Sequence, residues 1–207
     1  MMGEICVIPD EVSPAVAALR AAGVDVTGLH NHFIGESPRI LFVHFMAHGP
    51  AGTLAQAFRA ALAVTATPLR GSAPDFSVAS PPAWARAVQK GFARTGGYYM
   101  TRQGTLEFDI PSTHFPAGPM MDFWASVVFF QEAPNGKVAS TGDIMVTAPE
   151  LNAVLSILER HKFQIMAVHN HMIDEEPRVF FVHFWKIAPP QSVAEGLDSA
   201  LAAAHAR

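Results

Sequence analysis

Residues 30–45 and 169–184 are two versions of one string. His30-Asn31-His32-Phe33-Ile34-Gly35-Glu36-Ser37-Pro38-Arg39-Ile40-Leu41-Phe42-Val43-His44-Phe45 returns as His169-Asn170-His171-Met172-Ile173-Asp174-Glu175-Glu176-Pro177-Arg178-Val179-Phe180-Phe181-Val182-His183-Phe184. Three histidines and a glutamate hold their places, while the apolar positions change within their class: Ile40 is answered by Val179 and Leu41 by Phe180. A chain that repeats imidazoles and a carboxylate more faithfully than its packing residues carries the signature of paired metal sites. The same offset of 139 residues, 30 to 169, extends well beyond the string. It lays Gly3-Glu4-Ile5-Cys6-Val7 over Gly142-Asp143-Ile144-Met145-Val146, Glu11 over Glu150, Leu19 over Leu158, Pro50 over Pro189 and Ala61-Leu62 over Ala200-Leu201. A two-copy repeat of this length predicts a pseudo-symmetric globule, because solenoids are built from three or more shorter units.

Periodicity supplies the elements of one copy. Ile144 to Thr147 reads as a short strand, and Thr147 or Pro149 opens a helix whose Leu151, Val154, Leu155 and Leu158 follow the i, i+3, i+4, i+7 rule. Phe163 to Val168 leads through the histidines to an Asp174-Glu175-Glu176-Pro177 turn, and Val179 to Trp185 is a return strand rich in aromatics and valine. Ser192 to Ala204 is alanine-rich with a stripe of Val193, Leu197 and Leu201. The copy therefore reads β-α-β-β-α, most of a ferredoxin-like unit, and the chain as an α+β duplication with antiparallel sheets. Between the copies, residues 66–83 are rich in Pro, Ser and Gly and read as a linker, followed by a short helix from Trp84 to Phe92. Tyr98-Tyr99-Met100-Thr101 and Thr105-Leu106-Glu107-Phe108-Asp109 flank an Arg102-Gln103-Gly104 turn, and Trp124 to Gln131 runs to a hairpin turn at Asn135-Gly136. Three segments are expected: a first repeat over 1–66, a strand-rich connector over 67–118, and a second repeat with its preceding hairpin over 119–207. The first repeat has no counterpart to that hairpin, which reads as an N-terminal truncation.

Composition narrows the function. Half of the 207 residues are apolar and 15% are charged, enough apolar material for a substantial core. The formal net charge is −4 and no segment gathers lysine or arginine, which argues against nucleic acid as a partner. Cys6 is the only cysteine, so the chain makes no internal disulfide, and a reducing cytoplasm is the expected compartment. Neither a signal-peptide pattern at Met1-Met2-Gly3-Glu4 nor a run of about 18 apolar residues marks the chain for a membrane.

Strand parity tests whether the histidines can meet. His169 and His171 project from one face of a strand, and Asn170 from the other. If Ile173 pairs with Val179, His183 falls opposite His169; the same register sets Ile34 against Ile40 and His30 against His44. A slip of one residue would send the third histidine to the wrong face. In this register His30, His32 and His44 form one metal site and His169, His171 and His183 a second, with Glu36 and Glu175 folding back as fourth ligands. The alternative for these glutamates is to pair with Arg39 or Arg178 or to cap loop amides. Imidazole and carboxylate suit zinc first, with Fe, Mn, Ni or Cu also accommodated. Three neutral imidazoles leave coordination positions open, so a metal-dependent enzyme is expected, with Glu36, Arg39, Glu175 and Arg178 as its catalytic side chains and a small, partly apolar molecule as its substrate. A non-catalytic scaffold stabilised by metal is the competing reading, and a homodimer is admitted. The second copy is preferred if one site alone is active.

The order His-x-His-x3-Glu with a later histidine also matches the ligand chemistry of cupins, though here the last histidine returns within the same short hairpin. A longer resemblance covers nearly the whole chain. The paired His-Asn-His strings with their Pro-Arg turns, together with Thr141-Gly142-Asp143 and Phe184-Trp185, resemble the duplicated LppY/LpqO family of bacterial proteins. That resemblance implies a duplicated architecture and brings no assigned activity.

Overall fold

The computed structural model describes residues 1–69, 80–92, 97–101, 104–114 and 125–204. The chain forms two compact units, Met1–Ala73 with His169–Glu175, and Pro74–Val168 with Glu176–Arg207. The first unit thus takes a segment from late in the sequence, which departs from the expected division into three consecutive segments.

In the first unit the order is β1 (Met2–Val7), α1 (Pro9–Ala21), β2 (Asp25–His30), β3 (Leu41–Met46) and α2 (Ala51–Leu62). The sheet runs β1-β3-β2 with both pairings antiparallel, so β1 and β2 are parallel and joined through α1. Pro9 is pre-set for a first helical turn, and Glu11 reaches back to accept the Ile8 amide at 3.1 Å. The helix stops where Gly23 turns left-handed at φ +74 and the Val24 amide closes onto Leu19 O at 3.0 Å. One sheet face carries Ile5, Val7, Val43 and Phe45 into a core completed by Ala15, Leu19, Ala57 and Ala61. Alternation sends Glu4, Phe42 and His44 to the opposite face.

The second unit holds α3 (Ala83–Gly91), β4 (Gly97–Met100), β5 (Thr105–Pro111), β6 (Ala125–Ala133), β7 (Lys137–Thr147), α4 (Ala148–Arg160), β8 (Gln164–His169), β9 (Val179–Ala188) and α5 (Pro190–Ala204). The strand order is β4-β5-β6-β7-β9-β8. The connector expected over 67–118 is therefore no separate body: β4 and β5 extend this sheet through β6, because a lone hairpin leaves a row of unpaired backbone groups. Phe108, Phe130, Ile144, Val182 and Phe184 pack beneath Val154, Leu158, Leu197 and Leu201. Asn135 and Gly136 have φ of 63 and 68, the left-handed pair that an Asn-Gly hairpin turn requires, and Ala133 pairs with Lys137 across it. Glu150 does for α4 what Glu11 does for α1, accepting the Thr147 amide at 2.8 Å and the Thr147 hydroxyl at 2.7 Å.

The architecture is α+β with antiparallel pairing, as the sequence predicts, and the order β-α-β-β-α is followed in both 2–62 and 137–204. The expectations for residues 70–79, Arg102, Gln103 and Trp124 lie outside the described residues.

Candidate metal centre

The hairpin register departs from the expected one by two residues. His30 pairs with Phe42 and Gly28 with His44, instead of His30 with His44. The cause is the connection: β2 stops at His30 and β3 begins at Leu41, so the loop is longer than the five residues assumed. It is fastened internally, with Asn31 Nδ2 donating to Phe33 O at 3.1 Å and the Ile40 amide to Glu36 Oε1 at 3.1 Å. A shift of two preserves parity, so His30 and His44 still share a face. Both are buried, at 8% and 6% exposure, and their rings lie parallel with centroids 4.9 Å apart.

His169 and His171 join this pair within the first unit. The segment that carries them is latched to β2 by three features. Thr27 Oγ1 donates to His171 O at 2.5 Å, and Asn170 Nδ2 donates both to Thr27 O and to Met172 O at 2.7 Å. Gly28 is the third: a Cβ there would come within 2.8 Å of Asn170 O, so the backbones approach this closely only because the residue is glycine. The His169 ring then stacks on His30 at 3.6 Å between centroids, and His171 lies 4.2 Å from His44.

The sequence predicted one cluster per repeat. The structure also brings His169 and His171 beside His30 and His44, through contacts that run to Thr27 and Gly28 and that no hairpin register could have revealed. One ring nitrogen from each of His30, His44 and His169 lies within 4.8 Å of the others, so this trio can hold a metal ion. His169 Nε2 and His171 Nε2 are 3.0 Å apart, close to the about 2.9–3.3 Å edge of a coordination polyhedron with metal–nitrogen bonds of about 2.0–2.1 Å. Burial, reinforced by His32 and opposed by the Glu4 carboxylate, lowers the His44 pKa, which favours the neutral imidazole a metal requires.

The carboxylate on this face is Glu4. It stands in register with His44 on β1, and its Oε2 lies 3.4 Å from His44 Nε2 and 3.7 Å from His32 Nε2. His32 lies beyond the end of β2 and stacks on Phe42, centroids 3.5 Å apart. Glu4 was missed because no motif surrounds it. Its signal was the offset that lays Glu4 over Asp143. In the second unit Asp143 is the register partner of His183, and its Oδ1 lies 3.2 Å from His183 Nδ1. The same nitrogen is 3.0 Å from Gly142 O, and since a carbonyl only accepts, Nδ1 carries the proton of that bond. His183 is 2% exposed. Each copy thus sets an acid across the strand from its third histidine, the arrangement that fixes ring orientation around metals.

Glu36 caps its own loop through Ile40, the alternative role its position offered. Glu175 is half-buried at the end of the segment shared with the first unit, and Arg39 and Arg178 are exposed. Both asparagines tie backbone.

An α+β protein with a histidine cluster, two of its members buried on one sheet face, is the class that fold and site define. The family model described as Domain of Unknown Function (DUF1259) matches residues 1–64 and 85–203, and the chain belongs to that family. No curated protein and no solved structure matches it. Among the described residues, no helix is long and apolar enough to cross a membrane.

Proposed function

We propose that this chain is a metal-dependent enzyme whose divalent transition ion, zinc first among Fe, Mn, Ni and Cu, is held by His30, His44 and His169 with His171 alongside. The observation that carries the reading is the convergence of one ring nitrogen each from His30, His44 and His169 within 4.8 Å, the first two rings buried and the third half-buried. Burial lowers the His44 pKa, which favours the neutral imidazole that ligates a metal. Glu4 stands next to the trio as the acid that orients His44 or takes a proton from a bound water. A metal held there would supply a Lewis acid able to lower the pKa of coordinated water or to polarise a substrate carbonyl. Phe42, stacked on His32, supplies an apolar wall suited to a small, partly apolar substrate. The reading includes descent from a duplicated ferredoxin-like unit, the resemblance to the LppY/LpqO family and a reducing compartment suited to the single Cys6.

A second reading is favoured by the Thr27, Gly28 and Asn170 latch: an ion bridging β2, β3 and residues 169–171 would act as a staple, and the protein as a metal-stabilised scaffold. Metal analysis of tag-free protein tests both. About one ion per chain, lost in His44→Ala, is expected; less than about 0.2 per chain, with melting unchanged on adding Zn, Fe, Mn or Cu, overturns both. Where the ion is present, its removal with little change in Tm supports the enzyme and a large fall in Tm the scaffold.

A further inference from the structure

The second unit carries a cleft of about 710 Å³ at the end of its sheet, where the last residues of α4, the start of β8, the end of β9 and the first turn of α5 meet. Its cations come from three places: Arg160 at the helix end, Lys162 just beyond it, and Lys186 on β9. Among the described residues, none of the lining side chains is acidic, in a chain whose net charge is −4. Trp185 and Ile187 provide the apolar wall, and Ile187 is 49% exposed, an unusual condition for an isoleucine on a sheet strand.

Lys186 is the fixed member. Its ammonium donates to His161 O at 2.7 Å and sits 4.6 Å above the Phe163 ring, which anchors positive charge at the floor. Burial pushes its pKa down. Lys162 is held in the left-handed region, φ 61, where its amide closes the helix end onto Glu159 O at 2.9 Å. A non-glycine residue there is uncommon and costs stability.

The first repeat provides an internal control. At the common offset Arg160, His161 and Lys162 correspond to Ala21, Ala22 and Gly23, and Lys186 to Ala47. That copy folds through the same β-α-β-β-α order and ends its helix on glycine at φ +74, the unstrained solution. The fold therefore needs none of these cations, and at position 162 it does better without one. Their presence in the second copy alone points to a ligand.

We propose that this cleft binds a small organic anion with an apolar ring, its acid group held between Arg160 and Lys162 and its ring against Trp185 and Ile187. The volume lies in the range of small-molecule sites, about 300–1,000 Å³, and a guanidinium beside an ammonium suits a carboxylate or a phosphate monoester alike. The site involves none of the histidines of the metal reading and stands or falls apart from it.

Calorimetric titration of the full chain with phenyl phosphate, benzoate and inorganic phosphate tests this. Phenyl phosphate or benzoate is expected to bind with Kd of about 1 mM or tighter, and at least about fivefold tighter than inorganic phosphate. Arg160→Gln with Lys162→Gln, both at exposed positions, weakens binding at least about tenfold with Tm and metal content unchanged, and Trp185→Leu removes the preference for the ring. No heat up to about 10 mM, equal affinity in the double variant, or no preference for the ring-bearing anions each overturns the proposal. So does loss of binding in His44→Ala, which would place the anion on the metal.

Discussion

Gly28→Ala probes how the histidine cluster is assembled, because a single methyl group is aimed at the joint between β2 and residues 169–171. The added Cβ would sit 2.8 Å from Asn170 O, against the about 3.5–4.0 Å at which non-bonded atoms are comfortable. The carbonyl belongs to backbone and cannot rotate aside as a side chain would. Relief requires the segment to move off β2, which loosens the Thr27–His171 and Asn170–Thr27 hydrogen bonds, each contributing about 0.5–1.5 kcal/mol. Overpacking of this kind costs about 1–3 kcal/mol, offset in part by the about 0.5–1 kcal/mol that alanine gains over glycine in a strand. The net loss, centred on about 1 kcal/mol and at most about 2.5, falls on the docked segment, and so on His169 and His171. Metal affinity should drop about 5-fold, and at most about 70-fold, while the β1-β3-β2 sheet survives. Competition with a chromophoric chelator measures the affinity, and urea unfolding followed by circular dichroism measures the sheet. Gly52→Ala is the control: it is helical, with nothing within 4 Å of the new methyl, and should raise stability slightly. Gly28→Ala protein that binds metal with unchanged affinity would refute the role assigned to the latch.

Three further outcomes follow from the same geometry. Glu36→Gln removes the carboxylate that accepts the Ile40 amide, so it should cost about 0.5–1.5 kcal/mol in urea unfolding and leave metal stoichiometry intact; loss of the ion would restore Glu36 as a ligand. Gly142→Ala should prevent accumulation of folded protein, since its Cβ would overlap the Val127 carbonyl and Val128 Cα at a φ of 157; a soluble variant with native melting would contradict this. Burial raises the Glu150 pKa, but the hydrogen bonds from the Thr147 hydroxyl and amide and from His114 outweigh it and hold the carboxyl below its ordinary range. A depressed folded pKa means this stabilisation is fully present above the unfolded value of about 4.3 and is lost as pH falls through the folded one. Glu150→Gln should flatten the acid limb of a stability–pH profile, and an unaltered limb would show that the bonds are made equally well by the neutral acid.

Local rules carried much of the fold. The Asn135-Gly136 turn, the α4 stripe of Leu151, Val154, Leu155 and Leu158, and the shared face of His30 and His44 all depend on neighbours within a few residues or on strand parity, and each is readable from order alone. The register of the first hairpin was misplaced by two because loop length is set by contacts inside the loop, such as Glu36 with Ile40, which periodicity does not encode. The approach of His169 and His171 to β2 lay further out of reach. It hangs on the absence of a side chain at Gly28 and on hydrogen bonds spanning more than 140 positions. Glu4 was half legible: its pairing with Asp143 across the repeat was visible, but its meaning waited on the strand register that puts each acid beside a histidine.

The latch between Thr27 and residues 170–171 also sets an order of events during synthesis. Its hydrogen bonds join positions 144 and 143 residues apart, and closing so long a flexible chain costs about 4 kcal/mol in loop entropy before any contact is gained. The N-terminal sheet emerges from the ribosome with His30 and His44 in place, but its imidazole cluster stays half-built until almost 100 further residues beyond Ala73 have been made. If the cluster holds an ion as proposed, a nascent or truncated chain ending before His169 would carry that sheet without two of the imidazoles, and loading would wait for synthesis of residues 169–171.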